Sequence, residues 1–129
     1  TPERETVMQP GDLITHVLLP PPKAGTRSHY LKLRDRASYE FALASAAVVL
    51  GVDGGRIHHA RVALGGVGTR PWRSPEAERA LLGQPATSAS FAVAAEAALH
   101  DARPQSENGF KVELARRCLV HALGTVATA

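Results

Sequence analysis

The stretch that decides the fold runs from Phe41 to Leu64: FALASAAVVLGV, then Asp53-Gly54-Gly55 and Arg56, then IHHARVAL. By propensity alone the Ala-rich first part reads as helix, since Ala is the best helix former. The turn decides otherwise. Gly accepts positive φ at no steric cost, and Asp-Gly-Gly between two apolar runs is a hairpin signal. Ile57 to Leu64 then alternates apolar and polar side chains with the period of two that a half-buried strand shows. Two such runs joined by such a turn make an antiparallel hairpin, with the Ala-rich run as an inner strand covered on both faces.

Upstream, residues 1–11 are polar, carry Pro2, Pro10 and Gly11, and read as a lead segment. Asp12 to Leu19 is short, apolar and β-branched, which predicts a strand. It stops at Pro20-Pro21-Pro22, where the backbone has no N–H to donate. Lys23 to Ser28 reads as a loop. Tyr30 to Leu33 alternates as a strand would and runs into a charged corner, Arg34-Asp35-Arg36.

Downstream, Gly65-Gly66-Val67-Gly68 breaks the pattern. Ser74-Pro75-Glu76 is a helix start, with Ser as N-cap, Pro at the first helical position and acids in the first turn. That helix stops at Gly83. A second is predicted from Ser88 to Ala102, with Phe91, Ala95, Ala98 and Leu99 on one stripe and Pro104 beyond its end. A third starts near Asn108 as N-cap and runs to Leu123, with Phe110, Leu114, Cys118 and His121 at helical spacing. The Thr/Ala-rich end is expected to fray, so 126–129 is set apart as a tail. Strands first and helices after predict an α+β fold: an antiparallel sheet of three to four strands with three helices packed on one face.

Composition narrows the function classes. The 129 residues make one domain, with 44% apolar and 21% charged residues, the balance of an ordinary globular protein. Fifteen basic residues against twelve acidic ones give a net charge of +3. The signs are interspersed, whereas nucleic-acid modules cluster their cations, so no nucleic acid is expected as partner. Cys118 is the one cysteine, which excludes an internal disulfide, a four-Cys zinc site and an iron–sulfur cluster held by this chain alone. No apolar run reaches the roughly 20 residues of a membrane span and no signal peptide stands out; the expectation is a cytoplasmic protein with no membrane partner.

Few residues carry chemistry. His58 and His59, adjacent on a strand, are expected on opposite faces, as surface or packing histidines and not as a metal pair. Cys118 lies on an apolar stripe and reads as an inert buried thiol; Arg116 and Arg117 are the one feature that would lower its pKa. Gly65-Gly66-Val67-Gly68 has the wrong spacing for a phosphate loop and reads as a bulge or a close backbone approach. Arg70, Trp72 and Arg73 form a compact rim of interface-type residues, expected to meet a partner. Tyr30, Lys32 and Arg34 fall on one strand face. An aromatic beside two cations suits a planar, electron-rich ligand, while a charged sheet edge that resists aggregation accounts for the same residues.

Several segments together, in order along nearly the whole chain, resemble the C-terminal domain of the FAD-binding (medium) subunit of molybdenum hydroxylases, the group of carbon monoxide dehydrogenase and xanthine dehydrogenase. They are Gln9-Pro10-Gly11-Asp12-Leu13-Ile14 with Leu19-Pro20; Tyr30-Leu31-Lys32 leading to Arg36-Ala37-Ser38-Tyr39-Glu40-Phe41-Ala42; Ala63-Leu64-Gly65-Gly66-Val67; Arg70-Pro71-Trp72-Arg73; and Asn108-Gly109-Phe110-Lys111. The resemblance implies the same α+β sheet with three helices. It implies that residues 1–11 lead in from an upstream FAD-binding domain, with 12–125 as the C-terminal domain. It also implies part of a multi-subunit FAD-dependent oxidoreductase, inactive as an isolated domain. In that group electrons pass from a molybdenum cofactor through two [2Fe–2S] clusters to FAD. The expected partners are therefore an iron–sulfur small subunit and a molybdenum-binding large subunit. The family's glycine-rich FAD loops belong to the upstream domain and have no counterpart in this sequence. On the same resemblance Lys32 is the residue expected to contact the flavin, Ile14 packs near it and Tyr30 shapes the same surface. The contrasting expectation is a non-catalytic interaction module with no flavin contact.

Overall fold

The computed structural model describes residues 6–128. The hairpin forms as expected: β2 (Ala44–Asp53) and β3 (Arg56–Gly65) pair antiparallel around Gly54 and Gly55, which take φ of 53° and 76°. β1 (Thr26–Leu33) pairs with β2 from Thr26↔Gly51 to Leu33↔Ala44, so the strand starts within the segment expected as a loop. The fourth strand is β4 (Trp72–Arg73), paired to β3 through Ala63↔Arg73 and Leu64↔Trp72. The sheet order is β1-β2-β3-β4.

The strand expected over Asp12–Leu19 does not form. The segment has no regular structure and its apolar side chains, Leu13, Val17, Leu18 and Leu19, stand exposed. The three prolines deny it a hairpin with β1, and no sheet edge among the described residues pairs with it. The lead segment 1–11 falls partly on residues 1–5, outside the described residues.

Three helices follow the strands: α1 (Pro75–Leu81), α2 (Ser88–Leu99) and α3 (Phe110–Thr128). Ser74 caps α1, its hydroxyl accepting the Ala77 N–H at 3.2 Å. Thr87 caps α2, which ends at Leu99, three residues before the expected Ala102. Asn108 does not cap α3. Its side chain turns back to accept the Gln105 N–H at 2.7 Å, a local side-chain-to-backbone bond that takes the place of a cap. α3 also continues past Leu123 to Thr128 with Val126 buried, because Val126 still has core to cover; the expected frayed tail is helical as far as Thr128. Its buried stripe is Ala115, Cys118, Leu119, Ala122, Leu123 and Val126, while Phe110 and His121 of the expected stripe stand exposed.

α3 lies across β1 and β2, α1 lies on β3, and α2 packs on both other helices. Their shared core includes Ala46, Val48, Leu50, Ile57, Ala60, Val62 and Leu64 from the sheet. The alternate residues of the same strands face away from all three helices. β2 is therefore inner within the sheet but covered on one face, not two: Ala47 is exposed and Ala63, its neighbour on β3, half-buried.

Candidate functional site

Strand alternation carries Tyr30 and Lys32 to the open face, opposite Ala47 and Ser45. Arg34 lies beyond the end of β1 and does not join them in the strand. Lys32 is half-buried, and its ammonium makes no hydrogen bond or ion pair among the described residues. Tyr30 is 59% exposed. The charged corner closes on itself: Glu40 accepts the N–H groups of Asp35 and Arg36 at 2.9 and 3.0 Å, and Arg36 donates to the Tyr39 carbonyl. Ile14 lies in the irregular lead-in, 66% exposed, with no place in the sheet. Lys32 and Tyr30 thus share one surface, and Ile14 is outside the sheet that carries it.

The expected rim of Arg70, Trp72 and Arg73 is divided. In a strand, neighbours point to opposite faces. Arg73 shares the open face with Ala63, and Trp72 goes to the face of Leu64. Arg70 is exposed in the preceding loop. Arg73 is moreover occupied: its Nε and Nη2 donate to Glu78 Oε1 and Oε2, each at 2.9 Å. Glu78, on α1, is buried, also accepts the Val62 N–H at 3.2 Å, and has Arg61 Nη1 at 3.5 Å. Burial alone pushes the Glu78 carboxyl up; the Arg73 hydrogen bond, the Val62 N–H and the charges of Arg73 and Arg61 outweigh it and hold the group below its ordinary value.

The two histidines are on one face, not on opposite ones. The ladder slips between Gly51 and Val52, so that Gly51 pairs with His59 and Val52 with Ile57, leaving His58 as the extra residue of a bulge. A Cβ placed on Gly51 would lie 2.5 Å from His58 Cε1, which puts that ring over the open face beside His59. The His59 ring is pushed toward its neutral form by burial and then by the charges of Arg61, Lys23 and His58. Among the described residues no group of three metal-ligating side chains comes together.

Cys118 is buried in the core, with Sγ 3.9 Å from the Leu31 carbonyl. Burial pushes its thiol up to about 11. Arg116 and Arg117 do not activate it, since both are engaged by Glu113, at 2.7 and 2.6 Å. At the end of β3 the expected close backbone approach is present: a Cβ on Gly66 would lie 2.8 Å from the Ala42 carbonyl oxygen. Sequence reasoning missed Glu78, Arg61 and Ala47. Glu78 carried only the signature of a first-turn acid, and nothing local announces that it reaches β3.

A family model described as the CO dehydrogenase flavoprotein C-terminal domain matches residues 29–126. The chain is 46% identical over 123 residues to the aldehyde oxidoreductase FAD-binding subunit PaoB of Escherichia coli, covering 95% of this chain and 35% of that protein. It is 36% identical over 78 residues to the carbon monoxide dehydrogenase medium chain of Afipia carboxidovorans, covering 60% of this chain and 27% of that one. Among solved structures, a carbon monoxide dehydrogenase from Hydrogenophaga pseudoflava lacking the Mo-pyranopterin moiety superposes with a TM-score of 0.77 at 32% identity over 85% of this chain and 39% of that one. Quinoline 2-oxidoreductase from Pseudomonas putida 86 gives 0.74 at 27% identity, over 80% and 37%. The chain spans about a third of the length of the curated relatives it matches. No helix among the described residues is long and apolar enough to cross a membrane. With the sheet order, the three one-sided helices and the match over 29–126 in agreement, the chain belongs to the CO dehydrogenase flavoprotein C-terminal domain family.

Proposed function

We propose that this chain is the flavin-side C-terminal domain of an FAD-binding subunit in a cytoplasmic, molybdenum-dependent oxidoreductase. The observation that carries the reading is Lys32: a cation with a half-buried stem on the open sheet face, next to Tyr30 and with no anionic partner among the described residues. A lysine with a half-buried stem keeps its charged head at the surface, and with no anionic partner among the described residues that head is free to meet an electron-rich ring. FAD, when bound, supplies the electron-accepting ring. Lys32 would sit against its pyrimidine side and favour the negative charge that develops there on reduction, while Tyr30 limits how the ring can lie. Ile14 would pack near the ring once the lead-in is ordered against an upstream domain.

The pyrophosphate would be held by that upstream domain, since this chain offers no loop for it. The molybdenum cofactor and the [2Fe–2S] clusters would belong to the large and small partner subunits, and a single cysteine fits that division. The isolated chain is then inactive and binds FAD poorly. The test is Lys32→Ala in the full-length subunit, read by flavin content and by the rate of flavin reduction. Weaker binding or slower reduction supports the contact; flavin content and rates equal to the parent's overturn it.

A further inference from the structure

The lead-in is built unlike the domain it precedes. Leu13, Ile14, Val17, Leu18 and Leu19 are between 66% and 91% exposed, a dense run of large apolar side chains. Strand alternation would put Leu13, Val17 and Leu19 on one side and Ile14 and Leu18 on the other. A strand that is apolar on both sides is an inner strand, covered on both faces. The sheet β1-β2-β3-β4 offers no such place, since its helices leave one face open. Pro20-Pro21-Pro22 also carries the segment away from β1, as a stiff extended spacer of roughly 9 Å.

Two observations point to what covers it. One is a turn at its start. The Asp12 N–H donates to the Gln9 carbonyl at 3.0 Å, with Pro10 and Gly11 between them and Gly11 at φ 92°. Pro followed by a residue at positive φ makes a type II turn. The Asp12 carboxylate closes it further by accepting the Gln9 N–H at 2.7 Å. The polypeptide ahead of Gln9 is thereby directed back along the segment. The other is the extent of the matches. The family domain begins at residue 29 and leaves the segment out. The match to the Escherichia coli subunit covers 123 of the 129 residues, so Asp12–Leu19 must lie inside it, and it spans only 35% of that protein. A second copy of the lead-in is a poor cover, because two paired strands leave both apolar faces in water.

We propose that Asp12–Leu19 is an inner β-strand of the folding unit on the N-terminal side of this domain, paired through its backbone with a strand of the same polypeptide that precedes Gln9. Pro20-Pro21-Pro22 is then the boundary between the two units. The proposal rests on the reading that the chain is part of a longer FAD-binding subunit, and it does not depend on Lys32. The full-length subunit, purified away from partner chains, tests it by amide hydrogen exchange. The N–H groups of residues 13–19 should exchange at least about a hundredfold more slowly than in an open chain. Leu18→p-benzoylphenylalanine, irradiated in the same subunit, should cross-link within one polypeptide to a peptide ahead of Gln9. Exchange at the open-chain rate, protection only when partner chains are added, or a cross-link to a second copy or to residues 26–128 overturns the proposal. Flavin content separates the two ideas. Open-chain exchange in a flavin-loaded subunit overturns the strand alone, and protection in a subunit whose flavin content and reduction rate Lys32→Ala leaves unchanged overturns the flavin contact alone.

Discussion

Glu78 completes the hydrogen bonding of Val62. β4 is two residues long and pairs only with Ala63 and Leu64, so the next residue of β3 would be left with an open edge. Ser74 N–H donates to the Val62 carbonyl at 2.9 Å, and the Val62 N–H donates to Glu78 Oε1 at 3.2 Å. The side chain of a helix thus stands in for a missing strand residue, and the same carboxylate fixes Arg73 on the open face. Removing it leaves a buried N–H and a guanidinium without partners. Glu78→Ala should cost about 1–3 kcal/mol in urea unfolding. Glu78→Gln should cost less, because its amide oxygen still accepts from Val62. Equal stability of all three proteins would show that the contact is idle.

Acid should weaken the same contact. The carboxyls of Glu78 and Glu113 are held below their ordinary value of 4.5, Glu113 at about 2 through Arg116 and then Arg117. A depressed carboxyl adds stability above its unfolded pKa and loses it as pH falls toward the folded one. Unfolding free energy should therefore decline from about pH 5 downward. The decline should be shallower in Glu78→Gln, which has lost one of three depressed carboxyls, Glu76 being the third. Parallel curves would assign the acid limb to other carboxyls.

What was legible in the sequence was local. Asp53-Gly54-Gly55 announces the hairpin because positive φ is a property of the residues themselves, and Ser74-Pro75 announces α1 for the same kind of reason. Lys32 and Tyr30 on one face follow from a period of two. Long-range features were not legible. Asp12–Leu19 has strand chemistry but finds no edge to pair with among the described residues. Arg73 read as a free rim cation because its partner lies on a helix and is positioned only by the fold. The histidine bulge did leave a trace: Ile57 and Ala60 are both apolar and three apart, which puts them on opposite faces of a regular strand and on one face only across a bulge.

That bulge makes a prediction of its own. The His58 ring occupies the space a Gly51 side chain would need, 2.5 Å from the Cβ position. Gly51→Ala must displace the ring, which is flexible and exposed, so its cost should be modest, about 1 kcal/mol. His58→Ala should remove that cost. A double-mutant cycle measures the coupling, and strictly additive changes would mean that the ring does not lie over Gly51.

Gly66 is a harder case. Its φ of +72° disfavours any side chain, and a Cβ would meet the Ala42 and Leu43 carbonyl oxygens at 2.8 and 3.0 Å. Gly83 has a similar φ of +77° with nothing within 4 Å. Gly83→Ala should therefore show the backbone cost alone, about 1 kcal/mol. Gly66→Ala should cost clearly more, since backbone atoms cannot step aside as a ring can. Thermal unfolding of the two variants side by side makes the comparison, and equal losses would mean that the β3 end relaxes freely.

The buried thiol sets the alkaline limit. Cys118 titrates at about 11 in the fold against 9.0 when free, because the core disfavours the thiolate. A raised pKa means that the stabilising neutral form is fully present below pH 9 in both states. Above it the unfolded chain ionises first, and stability falls as pH climbs toward 11, by at most about 3 kcal/mol. Cys118→Ala leaves a small void in the α3 packing and starts less stable, but lacks this alkaline loss. The two unfolding curves should therefore converge between pH 9 and pH 11. In the parent, thiol reagents at pH 8 should react only as fast as the chain opens, since roughly one thiol in a thousand is then ionised. Curves that stay parallel across that interval, or a thiol that labels at the rate of a free cysteine in the native protein, would contradict a Cys118 sealed in the core.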